Sequence, residues 1–566
     1  MLLPAGRRLR QGQGRRPISS MMRTLHLYLA RELLKAFGLT AIALTLLVVL
    51  GGGVANIFKG EGIGAMDVLK VFAFLTPVAI TLILPVAALF SAAITYGRSA
   101  ADNEITACRA AGINIHRLLL SAGLLGLLVT IITYWAWNYM IPGLSRQIEE
   151  ITRRDLPGIV VQQFQRAKPL IFGRHRIMAS RCELVDPSRM ASDRPQDHTY
   201  LLLTGVSFVE MEDEEIMRYG TADATVIDFH RSEGLPRVSA DLQGVHVYDA
   251  ARGQYYDLAH QSLPPIEIPL PMKRKTKFED LGSLLTYLRH PEESPEVVGW
   301  LYGIKKEMMT LYLYQYVIEG LQSDGYFRLS GPGVSYEIHS KEGSRDPDDG
   351  RPIMRVIRVV EKGPEGTFIY TADTATIEVR STFDRERPVI LIELIDNVEV
   401  SKQGAPAGEE RSVRKPKESL KPIQYMDQEL LRRQAEAFDT RGLLRGETIP
   451  GLPRKQERQV EKFQEFALAY RAEVNGEIHF RASYALTSIA VVVMGAVLGI
   501  IVRGGQVLTA FGISCIPSLF VVLCSIVGRN LADKPEYAFV SLGVMWGGTA
   551  MIYLATGFIT LRFLKQ

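Results

Sequence analysis

Cysteine is scarce in this chain of 566 residues, which contains four, and only Cys182 falls in the long polar stretch of residues 142–480. That stretch therefore has no disulfide framework. The ten histidines are scattered and form no H-E-x-x-H pair, and no Gly-Lys dipeptide occurs. A zinc protease helix and a phosphate-binding P-loop are thereby excluded. We predict a chain that is not itself an enzyme and that holds no cofactor of its own.

Acidic residues are nearly missing from both ends of the chain. Residues 1–141 and 481–566 together contain 19 of the 65 Lys and Arg residues but 7 of the 61 Asp and Glu residues, a net charge of +12. The intervening residues 142–480 carry a net charge of −8. Basic, apolar ends around an acidic, polar insert exclude a purely soluble enzyme. They also argue against a nucleic-acid-binding protein, whose large soluble part should be the basic part.

Six stretches are long and apolar enough to cross a membrane as helices, which takes about 20 residues each. They are residues 34–57, 69–96, 118–141, 484–502, 506–528 and 537–561. Short flanking segments hold 14 basic residues on the side of the N terminus and three on the other side. The positive-inside rule then predicts a multi-pass protein of the inner membrane with both termini cytoplasmic and residues 142–480 periplasmic.

A short helix is predicted between the second and third spans, over 102–112. Asp102 and Asn103 are suitable N-cap residues, and Gly112 is a suitable stop. Such a helix, rich in small residues, could dock into a groove on a cytoplasmic partner, or it could be an ordinary interfacial helix. The residues of this segment favour neither interpretation over the other.

Several short motifs occur in order along the membrane part. They are YLARELLK at 28–35, Leu82–Pro85 followed by Gly97-Arg98, Glu104-Ile105-Thr106 with Ala111-Gly112, Glu477–Arg481, and Gly495-x3-Gly499. In these motifs, and in the order of three spans, insert and three spans, the chain resembles the lipopolysaccharide-export permeases of the LptF/LptG (YjgP/YjgQ) family.

The resemblance implies half of an ABC exporter. The expected partners are a cytoplasmic ATPase dimer like LptB, which would bind the ATP, a second LptF/LptG-type permease, and periplasmic jelly-roll bridge proteins like LptC and LptA. The ligand would be lipopolysaccharide in the membrane, with no nucleic acid involved. The implied ATPase-coupling residues are Asp102, Glu104, Ile105, Thr106, Arg109, Ala111 and Gly112. The implied lipid-gate helices carry Gly51, Gly52, Gly53, Pro85 and Pro517.

The insert is predicted to be mostly β-structure. Segments 199–210, 223–230, 236–248, 353–361, 366–380 and 388–400 alternate apolar and polar residues. Tyr219–Asp228 is similar to Tyr370–Glu378 at an offset of about 150 residues, which favours a duplicated module. Both copies resemble the β-jelly-roll unit of the bridge proteins. The predicted fold class is therefore six transmembrane helices (3+3) with a large inserted, β-jelly-roll-like, all-β domain plus helices.

Composition and motifs divide the chain into seven parts. They are a disordered cytoplasmic extension (1–22), the first three transmembrane helices (23–141), a jelly-roll-like module (142–277), a helical insertion (278–322), a second β module (323–400), a linker with a helix leading to the membrane (401–480), and the last three transmembrane helices (481–566).

The sequence thus favours a permease subunit that extracts lipopolysaccharide or a related glycolipid from the inner membrane and passes it to a periplasmic bridge. Two alternatives stay open. One is a membrane scaffold or sensor with a periplasmic β domain, and the other is a mechanotransmission-type ABC subunit.

Overall fold

The structure is a computed structural model of the full chain. It describes residues 18–59, 65–154, 156–165, 169–172, 175–185, 198–212, 215–230, 237–250, 254–267, 275–331, 333–364, 366–380, 389–403, 413–420, 423–424, 433, 439–502 and 507–563. The predicted extension 1–22 therefore lies mostly outside the described residues. The chain divides into a helical unit, Met1–Arg146 with Arg274–Arg289 and Ala469–Gln566, and a β unit, Gln147–Lys273 with His290–Leu468.

Six helices are long and apolar enough to cross a membrane. The apolar stretches lie in Thr24–Gly51, Thr76–Ala101, Ile115–Gln147, Arg454–Ile501, Cys515–Ala532 and Pro535–Arg562. The corresponding helices are α1 (Ile18–Lys59), α2 (Ala65–Ala101), α5 (Leu120–Trp135), α11 (Arg454–Ile501), α12 (Val507–Ala532) and α13 (Ala538–Phe563). Together with the sheets below, they fit the predicted combination of a membrane helical domain with an all-β domain.

Shorter helices complete the helical parts of the chain. Before the sheets lie α3 (Glu104–Ala110), α4 (Ile115–Leu118), α6 (Ile141–Arg154) and α7 (Leu156–Gln165), with a π-helical segment, Ala136–Met140, between α5 and α6. Later in the chain come α8 (Leu281–Arg289), α9 (Pro295–Ser323) and α10 (Thr440–Leu444).

Glycines let α11 approach α2 at backbone distance. A Cβ atom on Gly495 would lie 2.5 Å from the carbonyl oxygen of Leu89, and one on Gly499 would lie 2.6 Å from that of Ala93. Small residues one turn apart, as in this Gly-x3-Gly run, permit such close packing of two helices. The second such run, Gly543 and Gly547 on α13, meets no atom of this chain within 4 Å in the described part.

The first sheet is an antiparallel meander in the order β1-β2-β3-β4-β5-β6. Its strands are β1 (Leu170–Phe172), β2 (His175–Val185), β3 (Thr199–Glu212), β4 (Glu215–His230), β5 (Arg237–Asp249) and β6 (Gln254–Glu267). Its core includes Leu203, Ile227 and Val245, and Phe164 of the short helix α7 packs against them.

The second sheet is also an antiparallel meander, in the order β12-β11-β10-β9-β8-β7, with β13 paired to β11. Its strands are β7 (Tyr326–Gly331), β8 (Val334–Arg345), β9 (Pro352–Gly363), β10 (Gly366–Arg380), β11 (Val389–Lys402), β12 (Val413–Ser419) and β13 (Ile423–Gln424). The 29-residue helix α9 packs Leu313, Val317 and Leu321 against the core of this sheet.

The two similar segments found in the sequence occupy equivalent strands, β4 and β10. Asp223 is skipped in the strand pairing of β4, opposite Gly205 and Gly244, whose φ angles are +62° and +60°. Asp373 is skipped in β10 in the same way, opposite Val356 with a φ of +50°. Each sheet therefore has a row of irregular residues across its middle strands, which we call the kink row. The presence of this row in both sheets accords with the predicted duplication.

The side-chain alternation changes phase at the kink row. In β4 the buried positions run from Ala222 to Thr225 and Ile227, and in β10 they run from Ala372 to Ala375 and Ile377. In both strands the step across the kinked aspartate is three residues instead of two. A left-handed residue on the neighbouring strand accommodates this step, and glycine adopts that conformation most easily.

Candidate functional sites in the helical unit

Helix α3, the predicted coupling helix, is shorter than expected. It begins at Glu104 because Asn103 adopts a left-handed conformation (φ 59°) and makes no side-chain capping hydrogen bond. The predicted side-chain capping is therefore wrong at Asn103, while Asp102 lies 3.7 Å from the guanidinium of Arg98. The predicted stop is confirmed. Gly112 has a φ of +79°, and the Ile113 N–H donates to the carbonyl of Cys108 at 3.0 Å, as in a glycine-terminated helix end.

One residue of α3 anchors the helix, and the other predicted coupling residues are exposed. Ile105 is 4% exposed and packs into a core with Leu118 and Leu119. The structure thus makes Ile105 a packing residue, and it is not part of the exposed surface. The exposed members of the predicted set are Asp102, Glu104, Thr106, Arg109, Ala111 and Gly112. Burial, together with the charge of Glu104, raises the pKa of the neighbouring Cys108 thiol.

The predicted gate residues are dispersed over three helices. Gly51 is exposed on α1, and a Cβ atom added to it would meet no other atom within 4 Å in the described part of the chain. Gly52 and Gly53 continue α1, but their surroundings lie outside the described residues. Pro85 is buried within α2, and Pro517 is partly exposed within α12. Gly51, Pro85 and Pro517, the gate residues whose surroundings the structure describes, therefore do not form one cluster.

Pro85 has no N–H to donate to the carbonyl of Thr81, four residues earlier in α2. At the next carbonyl along the helix, that of Leu82, the hydroxyl of Tyr484 on α11 donates a hydrogen bond at 2.5 Å. This contact ties the irregular part of α2 to α11.

Two helices present long apolar faces that nothing in the described part of this chain covers. On α1, Leu39 is 74% exposed and Ile42 67%, and on α12, Ile516 is 72% exposed and Leu519 60%. Exposed apolar surface of this extent is stable against lipid tails or against another apolar helix.

A buried cluster of charged residues links α11 and α12, and our sequence interpretation assigned it no role. Arg481 is 0% exposed and donates through Nε to Glu477 at 2.9 Å and through Nη1 to the side chain of Asn138 at 3.2 Å. Glu477 also lies 2.7 Å from a terminal nitrogen of Arg529. The detectable signal was the charged pair four residues apart next to an apolar run, a spacing that places both side chains on one helix face.

Part of the chain matches the model of a known protein family. No curated protein matches the chain. The matching family model is described as "Lipopolysaccharide export system permease LptF/LptG" and covers residues 27–177, from α1 to the start of β2. The motifs at Glu477–Arg481 and Gly495–Gly499 lie outside the matched segment. The family predicted from the motifs is therefore confirmed for the N-terminal part: residues 27–177 match the lipopolysaccharide export permease family LptF/LptG.

Proposed function

We propose that this chain is a permease subunit of an ABC transporter that extracts lipopolysaccharide, or a related glycolipid, from the inner membrane and passes it to a periplasmic bridge. The match of residues 27–177 to the LptF/LptG family carries this proposal, because that segment contains the first three apolar helices and α3.

Helix α3 is proposed as the docking site of a cytoplasmic ATPase dimer. Ile105 holds the helix to the core, so a force applied to the exposed residues reaches the helices that pack around Leu118. Glu104 and Arg109 lie on the exposed part with no ion-pair partner among the described residues, and both could pair with charges on a partner. ATP would be hydrolysed on that partner, since this chain has no P-loop.

The exposed faces of α1 and α12 are proposed as the lateral gate. A second permease of the same type would face them, and the lipid would enter between the two subunits. The acyl chains of a glycolipid fit a surface of exposed Leu and Ile side chains, which offer no polar group to an apolar ligand.

The two sheets are proposed to receive the lipid in the periplasm and to pair with jelly-roll bridge proteins. Both are open meanders with β1 and β6, or β7 and β12, at their edges. An open strand edge carries unpaired backbone groups that a strand of another protein can extend. In this topology both termini are cytoplasmic.

Copurification of the full chain with candidate soluble ATPases from the same cells tests the coupling role. We expect a stable complex for the wild type and for Glu536→Ala, an exposed control between α12 and α13, and a weaker complex for Glu104→Ala. A chain that binds no ATPase would support the scaffold alternative and overturn the proposal. Equal binding by Glu104→Ala would refute the role of Glu104.

Depletion of the chain tests the substrate. Newly made lipopolysaccharide should accumulate in the inner membrane and disappear from the cell surface. Unchanged delivery despite a stable ATPase complex would favour the mechanotransmission alternative and would remove the lipid from the proposal.

A further inference from the structure

The chain between the two sheets folds back onto the helical unit. Residues 275–289, which we call the strap, follow the last strand of the first sheet and precede α9, yet they pack within the helical unit. Thr276 is 3% exposed and Leu284 is 0% exposed. A loop that merely joined two sheets would expose such residues to solvent.

Three separate polar contacts hold the strap. The carbonyl oxygen of Lys277 accepts a hydrogen bond from Nη2 of Arg481 at 3.2 Å. The hydroxyl of Thr276 is hydrogen-bonded to the carboxylate of Glu473, and the carboxylate of Asp280 pairs with Arg146. These contacts reach α11 at two positions and α6 at a third, so the strap is attached on more than one side.

An apolar contact adds to the polar ones. Phe278 packs against the cluster of Trp137, Phe480 and Tyr484. Asp280 also accepts a hydrogen bond from the Ser283 N–H at 3.0 Å, which caps α8 inside the strap. The strap is thus an ordered element with its own helix start.

Release of the strap is energetically unfavourable because of Arg481. Its side chain is fully buried, and its three donor atoms reach Glu477, Asn138 and the strap carbonyl of Lys277. Removal of the strap would leave one N–H group of a buried guanidinium without an acceptor, which is unfavourable in a dry environment.

We infer that the strap is an anchor that pins the middle of the insert to α11 through Arg481, so that displacement of α11 is passed to the chain on both sides of the strap. The strap thereby adds a third attachment point of the insert chain to the two at which the chain enters and leaves the β unit, next to Gln147 and Leu468. This role is independent of the transported lipid and of any ATPase.

Hydrogen exchange in lipid nanodiscs tests the docking. Amides of residues 275–289 should be protected in the wild type and should exchange at least tenfold faster in Arg481→Lys, which lacks the guanidinium fork. Residues 484–501 of α11 report whether that variant is folded. Asp280→Asn retains the cap but loses the charge of the Arg146 pair, and it provides the same test if Arg481→Lys does not fold. Unchanged strap exchange in a folded variant would overturn the anchor.

Spin-label distances test the transmission. In a full chain whose four native cysteines are replaced by serine, labels are placed at the exposed positions Thr371 of β10 and Phe539 of α13. The distance distribution should broaden when either strap variant is introduced and should not change with Arg454→Gln, an exposed control. A distribution that is the same in the wild type and in a folded strap variant would refute the anchoring role. Neither readout depends on export, so the proposed function can fail without affecting this result.

Discussion

The carboxylate of Glu477 on α11 lies 2.7 Å from the guanidinium of Arg529 on α12 while its other oxygen accepts from Arg481. One buried carboxylate, 3% exposed, therefore balances two arginines. We expect Glu477→Gln to destabilise the protein by about 3–5 kcal/mol, because it leaves the buried Arg481 and the partly exposed Arg529 without a counter-charge. Thermal unfolding in detergent measures the loss.

Asp348 provides the matched control for that substitution. It pairs with Arg454 at 3.3 Å, but both side chains are more than 70% exposed. Asp348→Asn should change stability by less than about 1 kcal/mol, since exposed ion pairs contribute little. Equal losses for the two variants would contradict the buried cluster as a source of stability.

Added volume between α2 and α11 should be poorly tolerated. Gly499→Ala would place a methyl group 2.6 Å from the carbonyl oxygen of Ala93, so the helices must separate. We expect a loss of about 1–3 kcal/mol in unfolding free energy. Gly543→Ala on α13 should be neutral or slightly stabilising, because in the described part of the chain the added methyl group would meet no atom beyond its own helix turn within 4 Å. A larger loss for Gly543→Ala than for Gly499→Ala would disprove the contact.

The kink rows predict that glycine-to-valine and valine-to-glycine substitutions change the stability in opposite directions. Val356 has a φ of +50°, which a β-branched residue adopts only under strain, whereas the equivalent Gly205 has a φ of +62° without penalty. Gly205→Val should cost at least about 1–2 kcal/mol, and its Cβ would lie 2.7 Å from the hydroxyl of Ser180. Val356→Gly should be neutral or stabilising by up to about 1 kcal/mol. Chemical denaturation of the full chain distinguishes the two.

Acid should weaken the strap through Asp280. Burial alone would raise the pKa of this carboxyl, but hydrogen bonds from Ser283 and the charge of Arg146 outweigh burial and hold the pKa below its ordinary value. Because the folded pKa is depressed, the stabilisation is present above about pH 3.9, the unfolded value, and is lost as the pH falls through the folded pKa.

The matching measurement compares wild type with Asp280→Asn over pH 2.5–6.5 by hydrogen exchange of the strap. The protection of the wild type should exceed that of the variant near neutral pH, and the difference should disappear at the acid end of the range. A difference that stays constant with pH would show that the Asp280 charge does not hold the strap.

Apolar length alone predicted all six helices that are long enough to cross a membrane, although some helices extend well beyond the predicted stretch: α11 begins at Arg454 and not near residue 484. This prediction succeeds because a long stretch of apolar residues is sufficient to identify a membrane span. The helix stop at Gly112 was also predictable, since the signal is local. The left-handed Asn103 was not, because an asparagine before a helix equally fits a side-chain cap.

Local signals indicate the Glu477–Arg481 pair, but they predict neither its further partners nor the strap. Besides Glu477, Arg481 contacts Asn138 and Lys277, which are separated from it by 343 and 204 residues. The predicted helical insertion starts at Phe278, but that residue lies in a 3-10 turn, and α8 begins at Leu281. Only the tertiary structure explains why an apolar residue belongs at that turn.

The kink rows also determine how the sheets can be probed chemically. A scan that includes Ala222 or Ala372 and labels every second residue along the strand would report the interior before Asp223 or Asp373 and the exterior after it. A reagent pattern that switches sides within one strand would therefore indicate an intact sheet, whereas uniform labelling along the strand would indicate that its register had slipped.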